Sequence, residues 1–402
     1  MPRDLTSAVH EGFRTSFGVE LEGVWSAPGR VSMAGDHTDE HDGLSLAFAI
    51  GIRSAVAVRR RDDDRVVIAT DLTDERADTD LATIASHDAT ADWRSYPIGT
   101  IRAALEHGRD DEADDSDADD SPARVAATGL DIFLSTDLPV GGGLSSSASV
   151  CAAVGIALDE LWALGLSRGE IAALGRTAEQ TAAGAATGLA DHATVLFAEP
   201  ERAVFYDARG DDADLIEMPE LDAHQLVPLV VVTGEHHRNW SGAIAERLAD
   251  GVTVAEELGC QSLREVRSEE LEAAKDRLEP RQYRRARYIV GEIARTLELT
   301  RVLRTEGPRE IGPILRDSQA SLRDDFEVST ERIDRTVEWA QGAGALGARI
   351  TGAGLGGSVF VLAPESDVGA IVAALERGYR EHGWKDPHVV RVAPSAGARR
   401  DR

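Results

Sequence analysis

Apolar residues follow two different spacings along this chain of 402 residues. The apolar run Leu226–Val232 predicts a strand, segment 24–50 has strand character around a polar centre, and 193–197 with 202–206 predict a further pair. Apolar positions three or four residues apart predict helices instead. These helices are expected at 167–186, 243–257, 269–278, 281–306, 311–324, 331–342 and 367–382. The two termini show neither pattern, so 1–20 is expected to be a short arm and 395–402 a frayed tail.

A glycine-rich stretch at 138–150 leads into a segment with helical spacing. It contains Gly141, Gly142 and Gly143, then Leu144, and then Ser145, Ser146 and Ser147. Glycine lets backbone N–H groups approach an anion closely, and the unpaired N–H groups of a helix N-terminus favour phosphate. These properties are those of a phosphate-binding loop. An ordinary strand-to-helix connection has a similar composition, so the stretch alone leaves both interpretations open.

Composition narrows the class of protein. The only cysteines are Cys151 and Cys260, which supports neither a disulfide framework nor a cysteine-rich zinc site. No apolar run approaches the length of a membrane span, and the N-terminal residues lack the basic and apolar regions of a signal peptide. These features predict a cytoplasmic protein that does not enter the membrane.

Charge adds a second constraint. The formal net charge is −28, and Lys275 and Lys385 are the only lysines, so arginine supplies nearly all of the positive charge. Acidic excess spread along a whole chain is typical of proteins that work at high salt, where screening weakens self-repulsion. We therefore expect a halophilic protein. It is not expected to bind nucleic acid, because a phosphate backbone attracts basic surfaces.

A second segment, 27–39, is dense in polar chemistry. Arg30, Asp36, His37 and Asp39 lie within ten residues of one another in a region that otherwise has strand character. Such a mixture of donors and acceptors suits the recognition of hydroxyl groups. A polar hairpin loop with an incidental ion pair is the simpler alternative, and this segment alone does not decide between the two.

Three segments resemble the three motifs of the GHMP kinases, and of their galactokinase-like members in particular. They occur along the chain in the order that the family shows. Segment 27–39 resembles the substrate motif, 138–149 the phosphate motif, and 349–361, Arg-Ile-Thr-Gly-Ala-Gly-Leu-Gly-Gly-Ser-Val-Phe-Val, the third motif. Similar blocks extend the resemblance over nearly the whole chain. The resemblance implies an α+β, two-domain GHMP kinase fold with the active site between the domains. The domains are expected at 1–207 and 208–402, with a solvated acidic insert at 109–122.

The resemblance also implies an ATP-dependent kinase that uses Mg²⁺, and it assigns roles to residues. The ATP-binding residues would be Gly141, Gly142, Gly143, Leu144, Ser145, Ser146 and Ser147, with Trp93 at the adenine pocket. The metal ligands would be Glu179 and either Ser147 or Ser146, the catalytic pair Asp191 and Arg30, and the sugar contacts Asp36, His37, Asp39 and Gly188. A guanidinium group beside a carboxylate lowers the pKa of the carboxyl group. We therefore expect Asp191 to act by positioning and electrostatics rather than as a strong base.

The sequence departs from the galactokinase pattern around the sugar. Asp36 replaces a glutamate, Glu40 a tyrosine and Ala47 a proline, and a sugar-contacting tyrosine of the second domain has no counterpart. That neighbourhood holds His236, His237 and Arg238 instead. An exposed polar loop is one interpretation of this cluster. The other is that His237 and Arg238 bind a phosphate on the acceptor, because arginine and histidine suit that group.

Three functions therefore stay open at this point. The first is a sugar kinase that phosphorylates galactose at O1. The second is a ribose-1-phosphate kinase that phosphorylates O5 and forms ribose 1,5-bisphosphate in nucleoside degradation. The third is a non-catalytic paralogue that senses sugar, although Arg30, Glu179 and Asp191 argue against it because a sensor does not need the transfer apparatus.

Overall fold

The structure, a computed structural model, describes residues 3–86, 92–114, 127–139, 141–182, 187–218, 221–235 and 240–402. Two β-sheets carry helices packed against them, which confirms the predicted α+β class. The strands are β1 Gly23–Ala34, β2 Leu44–Arg60, β3 Arg65–Thr70, β4 Ala77–Asp80, β5 Leu130–Thr136, β6 Arg202–Asp207, β7 Asp212–Glu217, β8 Leu226–Val232, β9 Gly347–Thr351, β10 Ser358–Pro364, β11 His388–Arg391 and β12 Arg399–Arg400. The helices are α1 Leu5–Phe17, α2 Leu81–Ser86, α3 Ser95–Asp114, α4 Ser146–Trp162, α5 Arg168–Thr177, α6 Ala190–Phe197, α7 Trp240–Glu257, α8 Ser268–Ala274, α9 Pro280–Thr305, α10 Gly312–Asp324, α11 Glu331–Gly342 and α12 Val368–Glu381.

The first sheet is built around β1 and β2, two long antiparallel strands. Its strand order is β12-β1-β2-β5-β3-β4, and β6 pairs with both β2 and β7. Every residue of β1 is buried. A strand covered on both faces needs no alternation of polar and apolar residues, which explains why β1 shows no regular alternation. The pairing of β1 with β2 is irregular between Pro28 and Arg30, and such bulges re-aim side chains.

The second sheet is antiparallel, with strand order β11-β8-β10-β9. The predicted strand at Leu226–Val232 is confirmed as β8, and the helix expected at 331–342 is confirmed as α11. Strands β8 and β10 pack with α9 and α12 around one hydrophobic core that includes Leu229, Ile289, Val359 and Ile371. The glycine-rich third motif forms the connection between β9 and β10, so the sheet fixes both of its ends.

The chain passes from the first sheet to the second between Glu217, where β7 ends, and Leu226, where β8 begins. Strand β12 then returns to the first sheet, where it pairs with β1. The division into domains at 1–207 and 208–402 stays a prediction.

The expected N-terminal arm is wrong, because Leu5–Phe17 forms helix α1. The Asp4 side chain caps the helix by accepting a hydrogen bond from the N–H of Ser7. Val9 and Phe13 are fully buried in a core with strands of the first sheet. The apolar residues of the helix recur every fourth position, a helical spacing among otherwise polar residues.

The prediction of a frayed C-terminal tail is also wrong. The guanidinium of Arg53 donates hydrogen bonds of 2.8 Å to the carbonyl oxygens of Ala396 and Gly397, and β12 follows directly. These are contacts with residues far away in the chain. The composition of the tail itself therefore holds no sign of them.

The strand expected at 193–197 is wrong as well, because these residues belong to helix α6. A short apolar run fits a buried helix as well as a buried strand. The Asp39 carboxylate accepts a hydrogen bond of 3.1 Å from the backbone N–H of Ala190, at the N-terminus of this helix. The strand expected at 202–206 is confirmed as β6, which pairs with β2 and β7.

The acidic insert expected at 109–122 lies partly in helix α3, which extends to Asp114. Its remainder, from 115 onward, lies outside the described residues. Within the described part of the chain, no helix combines the length and the hydrophobicity needed to span a bilayer.

Candidate active site

Two cavities meet between the sheets. The first is lined by Asp36, His37, Asp39, Glu179 and Gly188, among others, and the second by Gly141, Gly143, Ser145, Ser146 and residues 353–357. Arg30, Ser147 and Asp191 line both cavities. The fold therefore brings the three sequence motifs together, and these three side chains lie where the cavities join.

Arg30 and Asp191 form a two-point ion pair at this junction. The Nε and Nη2 atoms of Arg30 each lie 2.6 Å from one carboxylate oxygen of Asp191. The remaining nitrogen, Nη1, donates to the carbonyl oxygen of Gly143 at 2.7 Å. The Arg30 side chain is 5% exposed and that of Asp191 is 32% exposed. Arginine thus joins strand β1 to helix α6 and to the glycine-rich loop.

The pKa of Asp191 is lowered below its ordinary value. Burial opposes ionisation of this carboxyl, but the charge of Arg30 and hydrogen bonds from Ser145 and Arg30 outweigh it. Asp191 is therefore a weak base that stays charged at neutral pH. This agrees with the expectation that it works by position and charge.

Two of the three glycines of the glycine-rich loop adopt the positive φ that glycine permits, and Gly142 does not. Gly141 and Gly143 have φ of 69° and 74°, and helix α4 begins at Ser146. Ser145 also has positive φ, 56°, and its hydroxyl donates to Asp191. The Ser145 side chain is thus directed at the Asp191 carboxylate rather than left free for a phosphate. Neither Gly142 nor Leu144 lines the cavity, and Leu144 is buried in the core.

The third motif packs directly on this loop. A Cβ atom placed on Gly352 would lie 2.6 Å from the carbonyl oxygen of Gly143. The Ser358 hydroxyl donates to the carbonyl oxygen of Gly142. The two glycine loops therefore touch each other where they line the cavity. A side chain at Gly352 would push the loops apart.

Glu179 lies on a π-helical turn, Ala178–Ala182, that follows α5. This corrects the single helix expected at 167–186, of which 183–186 lie outside the described residues. Glu179 is 5% exposed, and its Oε1 atom has no hydrogen-bond partner. Its Oε2 atom lies 3.6 Å from Nε2 of the buried His192. A buried carboxylate oxygen without a partner, on a residue that lines the same cavity as Ser147, fits a hard cation such as Mg²⁺.

Few protein ligands are available for such an ion. Among the residues that the structure describes, no group of three or more histidine, cysteine, aspartate or glutamate side chains could hold a metal. Mg²⁺ usually keeps several waters and binds through one or two carboxylates together with substrate phosphates. One glutamate and one serine hydroxyl are therefore a sufficient protein contribution.

His37 and Asp39 face the first cavity from the end of the substrate motif. His37 has φ of 64°, packs on Phe326 with ring centroids 5.0 Å apart, and has Nε2 at 3.2 Å from the carbonyl oxygen of Ala353. Burial lowers the pKa of His37, so its imidazole is neutral at pH 7. A Cβ on Gly188 would lie 2.0 Å from the Asp39 carboxylate, so only glycine allows this close approach.

The carboxylate of Asp39 has unusual ionisation. Burial, with repulsion from Glu40 and Asp191, raises the pKa of Asp39 to about 7. Asp39 and Asp191 line the same cavity, yet their pKa values are shifted in opposite directions. The difference arises because Arg30 neutralises Asp191 and has no equivalent beside Asp39.

Asp36 also lines the first cavity, but both of its carboxylate oxygens already accept hydrogen bonds from the third motif. One oxygen accepts a hydrogen bond of 2.5 Å from Arg349, and the other accepts one of 2.9 Å from the N–H of Gly352. Arg349 in turn lies 3.5 Å from the buried Glu292. Burial opposes the charge of Glu292, but Arg295 and Arg349 outweigh it and hold its pKa at about 2.

Sequence reasoning missed Arg349, Glu292 and Tyr288, whose hydroxyl donates to the Asp36 carbonyl oxygen. The position of Arg349 as the first residue of the third motif was the one available signal. Trp93 packs against the core of the first sheet and its indole nitrogen has no hydrogen-bond partner, and its role at an adenine pocket stays a prediction. His237 and Arg238 lie outside the described residues, so their proposed contact with an acceptor phosphate stays a prediction as well.

Comparison with known proteins first defines the class. The profiles described as GHMP kinases N terminal domain and GHMP kinases C terminal match residues 101–199 and 299–381. A mevalonate kinase structure from Methanococcus jannaschii, 17% identical, has a TM-score of 0.61 over 93% of this chain and 98% of that one. The fold is therefore that of the GHMP kinases.

More specific matches follow within that class. The profile described as galactokinase galactose-binding signature matches residues 11–60. A galactokinase of Streptomyces coelicolor is 36% identical over all of both chains, and one of Mycobacterium bovis is 32% identical over 93% of this chain and 98% of the relative. The crystal structure of Lactococcus lactis galactokinase complexed with galactose, 26% identical, has a TM-score of 0.88 over 98% of this chain and 99% of that one. The chain belongs to the galactokinase family, and it is an ATP-dependent sugar kinase.

The close contact of the two glycine loops gives a first prediction. Gly352→Ala should lower kcat/KM by at least about tenfold, because displacements near 1 Å at an active site can cost more than that. Gly383→Ala is the matched control, since Gly383 also has positive φ, 69°, but nothing lies within 4 Å of the added atom. Both variants should lose about 1 kcal/mol of stability to the left-handed backbone. Equal activity in steady-state assays of the two variants would contradict the prediction.

The raised pKa of Asp39 gives a second prediction. Its folded pKa of about 7 exceeds the ordinary unfolded value of 3.8, so ionisation of Asp39 destabilises the fold as pH rises through this interval. Asp39→Asn keeps an oxygen for the Ala190 N–H but cannot ionise. The melting temperature of the variant relative to wild type should therefore increase from pH 5 to pH 7 and then level off.

Asp63→Asn is the control for this titration. A hydrogen bond from Arg61 lowers the pKa of Asp63 to about 2 in the folded protein. Asp63 is therefore ionised in both the folded and the unfolded protein from pH 5 to pH 8. Its effect on the melting temperature should be constant over that range. A flat profile for Asp39→Asn as well would show that Asp39 ionises normally in the folded protein.

Proposed function

We propose that the acceptor is galactose, phosphorylated at O1, and that Mg²⁺ accompanies ATP. The observation that carries the proposal is the charge of the first cavity. Its described lining contains five carboxylates, those of Asp36, Asp39, Glu40, Glu179 and Asp191. Among the described lining residues, Arg30 is the only arginine, and its side chain is already paired with Asp191.

A neutral polyol suits this lining better than a sugar phosphate. Carboxylate oxygens and the His37 ring can exchange hydrogen bonds with sugar hydroxyls. Asp191 and Asp36 are paired with arginines, but a phosphate on the acceptor would still lie near the carboxylates of Glu40 and Glu179, which is unfavourable in a partly buried site. The name of the relatives and the galactose complex of the Lactococcus lactis protein point in the same direction.

The transfer itself calls on Arg30 and Asp191. Asp191 would accept a hydrogen bond from the acceptor hydroxyl and orient its oxygen toward the γ-phosphorus of ATP. The new oxygen–phosphorus bond would form as the bond from the γ-phosphorus to the β,γ-bridging oxygen breaks, ADP would leave, and the hydroxyl proton would pass to the transferred phosphate or to solvent. Arg30 would stabilise negative charge on the phosphoryl group while it keeps Asp191 ionised. Because the low pKa of Asp191 makes it a weak base, its contribution is orientation and charge, and phosphoryl transfer depends mainly on both.

The phosphates and the metal belong to the second cavity and to the junction. Backbone N–H groups at 141–147 and the N-terminus of α4 would hold the phosphates. Ser147 and Glu179 would hold Mg²⁺, which when bound neutralises phosphate charge. The partnerless Oε1 atom of Glu179 supports this assignment.

The two alternatives have less support. A ribose-1-phosphate kinase needs a cationic group for the acceptor phosphate, and no described residue of the first cavity besides Arg30 is an arginine or lysine. A sugar sensor needs no transfer apparatus, yet Arg30, Asp191 and Glu179 retain a geometry that suits transfer.

The net charge of −28 supports a further proposal, that the enzyme works in a cytoplasm with high salt. At high ionic strength the mutual repulsion of surface carboxylates is screened. At low salt the same repulsion destabilises the compact state.

A comparison of acceptors tests the proposed function. We expect ATP consumption in high salt with galactose, and none above background with ribose 1-phosphate, because the latter brings a phosphate among carboxylates. Free ribose and glucose are the controls, since both are uncharged: ribose is the pentose without its phosphate, and glucose differs from galactose only in the configuration at C4. Turnover with ribose 1-phosphate and not with galactose would overturn the proposal. Ligand binding without any turnover would favour the sensor.

The metal assignment gives a separate prediction. Glu179→Gln should raise the Mg²⁺ concentration for half-maximal activity by about tenfold or more, because losses of this size follow even from removing the partners of metal ligands. Glu199→Gln, an exposed glutamate of the same half of the chain, is the matched control and should show no change. An unchanged Mg²⁺ requirement in Glu179→Gln would exclude Glu179 as a ligand.

A further inference from the structure

The backbone turn that precedes the sugar-facing residues is held from both sides by the second half of the chain. We call residues 35–37 the motif turn. The N–H of Gly35 donates to the Glu292 carboxylate at 3.0 Å, and the carbonyl oxygen of Asp36 accepts a hydrogen bond of 2.7 Å from the hydroxyl of Tyr288. Glu292 and Tyr288 both lie on α9. One helix of the second half therefore holds the peptide group that joins Ala34 to Gly35 and the one that joins Asp36 to His37.

The Asp36 side chain adds a third attachment. Its carboxylate bonds with Arg349 and with the N–H of Gly352, which belong to the third motif. The side chains of Asp36 and Arg349 are 4% and 0% exposed, and that of Glu292 is 0% exposed. Turning Asp36 toward a ligand would leave Arg349 with only the more distant Glu292 as a charged partner. Leaving a buried charge without its partner is strongly destabilising.

The attachments continue into the sugar-facing residues. Tyr288 packs on Phe326 with centroids 4.5 Å apart, and Phe326 packs on the ring of His37. His37 has a positive φ that most side chains avoid, so its orientation depends on the peptide groups before it. The hydroxyl of Tyr288 and the carboxylate of Asp36 thereby determine where His37 points.

We propose that Asp36 is a positioning residue and not a sugar ligand: with Arg349, Tyr288 and Glu292 it forms a clamp by which the second half of the chain orients the motif turn. The inference rests on the proposed function only for the identity of the sugar.

Tyr288→Phe tests the clamp with the smallest change. It removes one hydroxyl and keeps the ring that packs on Phe326. We expect the KM for galactose to rise roughly tenfold, the size associated with one hydrogen bond, while the KM for ATP is unchanged. Tyr379→Phe is the matched control, since Tyr379 is a fully buried tyrosine of the same half whose hydroxyl bonds to Thr336. It should lose stability with no change in either KM.

Asp36→Asn, assayed with a set of monodeoxygalactoses, separates positioning from direct contact. If Asp36 positions the turn, the variant should lower kcat/KM by the same factor for every deoxy sugar. If Asp36 binds one hydroxyl, the sugar that lacks this hydroxyl should be insensitive to the substitution. One insensitive sugar would therefore overturn the proposal. Equal rises in the KM for galactose and for ATP in Tyr288→Phe would also overturn it, because they indicate a general structural effect.

Hydrogen exchange of the sugar-free protein keeps this test independent of the acceptor. The amides at 35–39 should exchange faster in Tyr288→Phe than in wild type and Tyr379→Phe. Unchanged exchange would overturn the clamp, even for an enzyme that phosphorylates galactose well. Failure of wild type to phosphorylate galactose would instead overturn only the proposed acceptor, and faster exchange would still support the clamp.

Discussion

The ion pair between Arg30 and Asp191 connects the parts of the active site. Its guanidinium uses two nitrogens for Asp191 and the third for the Gly143 carbonyl, so one side chain fixes strand β1, helix α6 and the glycine-rich loop relative to one another. A planar fork of donors is needed for this, which lysine does not provide. The serine at the start of α4 completes the arrangement, because the Ser145 hydroxyl donates to the same carboxylate.

The pKa of each carboxyl group in the site depends on whether an arginine lies beside it, and not on whether the residue is aspartate or glutamate. Asp191 and Glu292 have arginine partners and lowered pKa values, whereas Asp39 lacks one and has a raised pKa. Glu179 lacks a hydrogen-bond partner for one oxygen, which leaves that oxygen available to a cation. The proposals of a neutral acceptor and of a bound metal thus rest on the same lining.

The sequence predicted the three motifs and most elements of the second half, because their signals are local. Glycine and serine at a helix start, and apolar residues at helical spacing, are properties of neighbouring positions. The errors concern distant contacts. Helix α1 is stabilised by burial against the first sheet, β12 by pairing with β1, and Asp36 is engaged by Arg349, 313 positions away. Nothing near Asp36 in the chain indicates that its carboxylate has a buried partner.

High salt would affect these interactions unequally. The Debye length falls to about 3 Å at 1 M salt, so surface carboxylates farther apart than this hardly interact. The contacts of Arg30 with Asp191 are 2.6 Å long, and the Arg30 side chain is nearly inaccessible to ions. Screening can therefore relieve the repulsion of a chain with a net charge of −28 and leave the pairs of the active site intact. An acidic surface and the proposed electrostatic mechanism are compatible, because that mechanism uses contacts of a buried arginine that are shorter than the screening length.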